Sequence, residues 1–192
     1  MSSHHIVREN QEPALLIEDL SLIDEEDLGQ LLEWSPTIVI EEETIDLLDA
    51  RGYKFDIVFT KNSINGSQEN LKLISYGIDF LKVAIEYLIA HHYKAVNIVT
   101  EQLDINYFRP YLERINIVLF SRGIRYYYVT TGFTKWKPAG ERIQIEAAHV
   151  DEEIVHKGLI KISENEYEVE NDGLFVLQFS QEKYILIGEK IA

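Results

Sequence analysis

Three consecutive carboxylates, Glu41, Glu42 and Glu43, follow the apolar run at 37–40. Thr60, Lys61, Asn62 and Ser63 follow a second apolar run at 55–59. In an α/β protein the end of a buried strand is where ligands meet side chains, so both groups stand where chemistry is normally placed. Clustered carboxylates there would hold a divalent cation, and a lysine beside them would bind phosphate without one. The same residues have plainer readings. An acidic run suits the start of a helix, facing the positive end of its dipole, and a lysine after a strand is an ordinary surface residue. Asp104 is open in the same way, as a ligand contact or as the N-cap of a following helix.

Holding these groups requires strands and helices in alternation, and the hydrophobic pattern supplies them. The short apolar runs at 14–17, 37–40, 55–59, 71–76, 95–100 and 115–120 read as strands. Between them, Leu28, Leu31, Leu32 and Trp34 recur at helical spacing behind the acidic turn 24–27, and a second helix runs from Ile45 to about Gly52. The clearest helix spans 78–92, with Leu81, Ala84, Ile85, Leu88 and Ile89 on one face, and a further helix runs from Asp104 to about Arg114. After 121–123 the rhythm changes to short β runs at 125–131, 142–147, 159–162, 174–179 and 184–187. Turn signals separate them at 137–140, 164–165 and 171–173. The expected fold is therefore α/β: a Rossmann-like, mostly parallel sheet with flanking helices over residues 1–121, plus a C-terminal antiparallel β-sandwich over 122–192.

Composition narrows the function classes. A net charge of −15 over 192 residues argues against nucleic-acid backbones and anionic membrane surfaces, although a local basic pocket can still bind phosphate. With no cysteine there is no disulfide, thiolate nucleophile or cysteine-bound zinc. The N-terminus has no apolar signal core and no run approaches the length of a membrane span, so a soluble, cytoplasmic protein is expected. None of the ten glycines lie close enough for a dinucleotide or Walker loop, and neither a helical His-x-x-x-His pair nor a Gly-x-Ser-x-Gly elbow occurs. His4 and His5 are bystanders in a terminus, His91 and His92 suit a helix end, and His149 and His156 carry no assigned role. Tyr126, Tyr127, Tyr128 and Trp136 read either as stacking surfaces for an aromatic ligand or as core and interface.

Blocks in order along most of the chain resemble the thiamine pyrophosphokinase family. They are Glu12-Pro13-Ala14-Leu15-Leu16-Ile17, the stretch 28–36, Leu48-Asp49, Phe55-Asp56-Ile57-Val58, the stretches 84–89 and 95–99, Trp136-Lys137-Pro138-Ala139-Gly140, and Glu168-Val169 before Asp172-Gly173. The resemblance implies an enzyme that moves pyrophosphate from ATP to thiamine, with Mg²⁺ held by strand-end carboxylates. It also implies a homodimer whose active site lies between the α/β domain of one chain and the sandwich of another. On that pattern the candidate catalytic residues are Glu41, Asp79 and Asp104, the candidate cofactor-binding residues are Lys61 and Ser63, and no metal ligand is assigned.

The motif positions depart from the family at nearly every ligand site. Glu41 stands for an aspartate and Glu42 for the adjacent glycine, while Thr60, Lys61 and Ser63 stand for glycine and two aspartates. Asp79 lies one position out of register with the family's Thr-Asp, leaving Phe80 in the expected place. The run 100–106 replaces a Gly- and Arg-rich turn; Asp104 is kept and Ile105 replaces histidine. Residues 165–167 replace a thiamine-contacting Ser-Ser-Asn turn. Two readings follow: a catalytically silent binding or regulatory module, with thiamine or a nucleotide as ligand, or an active enzyme with a rearranged Mg-ATP site built on Glu41, Asp79 and Asp104.

Overall fold

The computed structural model describes residues 12–34, 37–61, 71–148 and 153–191. Six parallel strands form the first part: β1 (Ala14–Ile17), β2 (Ile38–Glu41), β3 (Ile57–Thr60), β4 (Lys72–Ser75), β5 (Ala95–Val99) and β6 (Asn116–Ser121). Their spatial order is β4-β3-β2-β1-β5-β6. Every residue of β1 is fully buried, and its alternate side chains serve two different cores. Ala14 and Leu16 join Val39, Phe59, Ile98 and Leu119 on one face, while Leu15 and Ile17 join Ile40, Val58, Val99 and Phe120 on the other. A strand covered on both faces needs an unbroken apolar sequence, and this one has it.

Helices α1 (Glu25–Trp34) and α2 (Ile45–Ala50) cover the second face, and α3 (Phe80–Ala90) covers the first with Leu81, Ala84, Ile85 and Leu88. The Asp24 side chain accepts from the Asp27 N–H at 2.8 Å at the head of α1. The sequence expectation of a helix over 78–92 is corrected at its start. Asp79 is the N-cap, so Ile78 stands outside the helix and is 98% exposed. The helix expected over 104–114 is corrected as well: α4 (Ile105–Phe108) is a single turn. Arg109 still has helical φ and ψ and donates to the Ile105 carbonyl, but Pro110 has no N–H to extend the ladder, so the chain continues as turns to Ile115.

The strands after Ser121 extend the same sheet. A two-residue turn at Arg122 and Gly123, with φ of 52° and 76°, folds β7 (Ile124–Val129) back along β6. The remaining strands are β8 (Phe133–Lys137), β9 (Arg142–Glu146), β10 (Val155–Lys157), β11 (Leu159–Lys161), β12 (Glu166–Val169), β13 (Gly173–Gln178) and β14 (Ile185–Lys190). β7-β14-β9-β12-β11 continue the sheet antiparallel, giving eleven strands in all. β10-β13-β8 form a separate three-stranded sheet. Phe175 and Leu177 of β13 pack against Val129, Ile143, Ile145, Ile185 and Ile187 of the large sheet in a third core.

Three of these strands differ from the sequence expectation. β8 takes in Lys137, read above as part of a turn, and the turn itself is set by Asp172 accepting from the Ala139 N–H at 2.8 Å. β12 takes up Glu166 and Tyr167, and β10 was not expected at all. No helix among the described residues is long and apolar enough to cross a membrane.

Candidate functional site

The strand order reverses between β1 and β5: the chain moves outward from β1 through β2 to β4, then returns to lay β5 on the other side. Such a switch point opens a crevice at the carboxyl ends of the strands. Here Glu18 and Asp19 leave β1, and Thr100, Glu101 and Gln102 leave β5, around a cleft of about 430 Å³ lined by Glu18, Asp19, Glu101 and Gln102. The fully buried Thr100 hydroxyl donates to the Glu18 carboxylate and accepts from the Gln102 N–H at 2.9 Å. Glu101 is paired with Arg122. Burial pushes the Glu18 carboxyl above the usual range; Thr100 opposes this, and the carboxylates of Glu41, Asp19 and Asp79 reinforce it.

At the neighbouring strand ends, Glu41 closes β2, Glu42 and Glu43 open the 3-10 turn Glu42–Thr44, and Lys61 follows β3. The Lys61 ammonium lies 3.0 Å from Glu41 Oε1 and 3.9 Å from Glu43 Oε1. The Tyr76 hydroxyl, just beyond β4, donates to the same Glu41 oxygen, and Lys61 stands 5.6 Å from the Tyr76 ring centroid. The buried Thr60 hydroxyl donates to Glu42 Oε2 at 2.5 Å. The hydrogen bond to Glu41 pushes the lysine's pKa up, so the ammonium stays charged across neutral pH. Glu41, Glu42, Glu43 and Lys61 line a pocket of about 260 Å³.

Asp79 and Asp104 serve helix ends. Asp79 accepts from the Lys82 N–H at 3.0 Å as the cap of α3, and from the Tyr107 hydroxyl at 2.6 Å, which ties α3 to α4. Burial, then that bond to Asp79, pushes the Tyr107 phenol far above its usual value. Asp104 accepts from the Asn106 N–H at 2.9 Å as the cap of α4, and its own N–H is held by the Gln102 side chain at 3.0 Å. The structure thus brings Glu41 and Lys61 into contact, sets Asp79 within the field of Glu18, and turns Asp104 to its own helix. Ser63 lies outside the described residues.

This donor set does not fit a divalent metal. Magnesium needs several oxygen ligands in near-octahedral array. Among the described residues no group of three or more His, Asp or Glu side chains is placed to hold a metal ion. The carboxylates singled out in the sequence already accept from Tyr76, Thr60, Lys61, Tyr107 or backbone N–H groups.

The aromatic candidates separate by face. Tyr126 lies in the first core with its hydroxyl donating to Gln144 at 2.7 Å, and it covers Gly188, where a Cβ would sit 2.5 Å from the ring. Tyr127 points to the other face and donates to the buried Glu189 at 3.0 Å, while Trp136 is 59% exposed. His91 stacks on Tyr87 at the end of α3. His156, assigned no role from sequence, lines a cleft of about 490 Å³ with Glu146, Lys161, Asn165 and Tyr167, its ring edge-on to Tyr167 at 5.2 Å. The sequence reading also missed Glu18 and Tyr76. Each stands directly after an observed strand, Glu18 after β1 and Tyr76 after β4, a position like those of Glu41 and Lys61 at the ends of β2 and β3.

No sequence-family model and no curated protein sequence matches the chain. Solved structures do. A thiamine pyrophosphokinase from Bacillus subtilis superposes with a TM-score of 0.66 at 15% identity, covering 94% of this chain and 100% of that one. The thiamin pyrophosphokinase from Candida albicans gives 0.69 at 11% identity, covering 95% and 90%. The yeast enzyme gives 0.67 at 10%, covering 96% and 88%. The chain has the thiamine pyrophosphokinase fold.

Proposed function

We propose that this chain, built on the thiamine pyrophosphokinase fold, is a binding or regulatory module that takes up thiamine or a nucleotide and does not transfer pyrophosphate. The observation that carries the reading is the engagement of the strand-end carboxylates. Lys61 stands 3.0 Å from Glu41, and Asp79 and Asp104 cap helices. Pyrophosphoryl transfer needs positive charge placed against the polyphosphate as it reacts. The lining of Glu41, Glu42, Glu43 and Lys61 carries three carboxylates and one ammonium, a net −2 (−3 + 1), so it offers no net positive charge for that step. Loss of a single preorganised electrostatic group costs about 10²–10³ in rate, and here several family positions differ at once.

The same reading takes two copies together, with the strand ends of one facing the C-terminal antiparallel strands of the other, as the resemblance to the family implies. Calorimetry with thiamine and with Mg-ATP, run beside an assay for thiamine diphosphate, tests it. Saturable heat with thiamine or nucleotide and no product is the expected result. Product formation that Glu41→Ala abolishes and Lys61→Ala leaves intact would instead establish a working enzyme.

A further inference from the structure

We propose that Lys61 is the resident cation of the strand-end pocket, occupying the space between Glu41 and Glu43 and keeping divalent metal out. This deepens the reading above and rests on it for the identity of the pocket. Three observations converge. The Lys61 ammonium is 3.0 Å from Glu41 Oε1 and 3.9 Å from Glu43 Oε1, so one positive charge is shared by two carboxylates that no other cation reaches among the described residues. It is also poised at the Tyr76 ring, 5.6 Å from the centroid, while the Tyr76 hydroxyl holds the same Glu41 oxygen. Glu41 is 17% exposed and backed by strand β2, so the carboxylate is fixed and the lysine reaches over to it.

The electrostatics follow from the count. With Lys61 present the four lining residues sum to −2; without its charge they sum to −3, and with an aspartate in its place to −4. An ammonium in contact with a carboxylate both cancels the attraction for Mg²⁺ and fills the volume it would take. Tyr76 and Thr60 can keep their hydrogen bonds to the carboxylates when a metal binds the remaining oxygens, as outer-shell donors do. The pocket is therefore one side chain away from a cation site.

Lys61 is half exposed, so its replacement leaves the fold intact, which a thermal melt checks. Titration of Mn²⁺, followed by water-proton relaxation, on the wild type, Glu41→Gln, Lys61→Arg, Lys61→Ala, Lys61→Asp and Lys61→Asp/Glu41→Gln is the test. No saturable Mn²⁺ site in the wild type or Lys61→Arg, one site in Lys61→Asp at least about tenfold tighter than in Lys61→Ala, and its loss in the double variant would support the proposal. A wild-type site that Glu41→Gln removes, or folded Lys61→Asp with no more affinity than wild type, would overturn it. Failure here is distinguishable from failure of the functional reading. Wild-type Mn²⁺ binding without turnover removes only the role of Lys61, and metal-free thiamine diphosphate formation removes only the silent reading.

Discussion

The charge of Glu18 opposes the fold. Its carboxyl is pushed up chiefly by burial, so the folded chain binds its proton more tightly than the unfolded chain does. The associated stability is full below the usual glutamate value near 4.5 and is lost as pH rises through the higher folded value. Glu18→Gln keeps an acceptor for Thr100 and removes the charge. It should raise the melting temperature at pH 7 by up to about 3 °C, with the gain vanishing in acid. Glu189 has the opposite sign. Burial pushes its carboxyl up, but Lys135 at 2.6 Å, the Tyr127 hydroxyl and Lys137 at 3.7 Å outweigh that and hold it below the usual range. Its contribution is present above about pH 4.5 and lost as pH falls through the folded value. Glu189→Gln leaves two lysines without their shared partner and should cost about 2–3 kcal/mol at pH 7, measured by denaturant melts, with the variants converging in acid. At this scale the sequence was legible by position: a polar residue at or just past the end of a strand run marks Glu18, Glu41, Lys61 and Tyr76 alike. It did not carry the pairing. That Lys61 reaches Glu41, or that Asp79 is spent on Tyr107, depends on which strands and helices become neighbours.

Elements owe their ends to short-range chemistry. Asp79 stops α3 at Phe80 by accepting the Lys82 N–H, and the same carboxylate anchors α4 through Tyr107. Asp79→Ala should therefore destabilise the chain by more than a simple cap, about 2 kcal/mol, while Asp79→Asn, which retains a cap acceptor, should lose under about 1 kcal/mol. Chemical denaturation of the two variants separates them. The strong periodicity of α3 and the apolar interiors of β1, β2, β3, β5 and β6, interrupted in mid-strand at Asn97 alone, made those elements readable. The β8, β10 and β12 strands were not, because they are three to five residues long and carry Lys, Glu and His among their β-formers. Their pairing with β13, β9 and β11 decides their conformation, and that pairing is long-range. The helix expected over 104–114 failed for a nearer reason, the proline at 110 inside an otherwise apolar-periodic stretch.

In the whole molecule one sheet of eleven strands runs across the point where helices give way to hairpins. The change of rhythm near 121–123 was visible, yet it falls at a tight turn between paired strands. The small sheet is fastened by an apolar core and by Lys135 and Lys137 of β8 reaching Glu189 of β14. Among the described residues the carboxyl ends of the parallel strands gather Glu18, Asp19, Glu41, Glu42, Glu43 and Glu101 against Lys61 and Arg122. An acidic strand-end surface in a chain of net charge −15 is poorly suited to a polyphosphate in flight. The most direct measurement is a single-turnover experiment with protein in excess over thiamine and with Mg-ATP present, quenched over time and analysed for thiamine diphosphate and AMP. No product above a protein-free control is the predicted result. Conversion of the bound thiamine to thiamine diphosphate, with one AMP released for each, would contradict it.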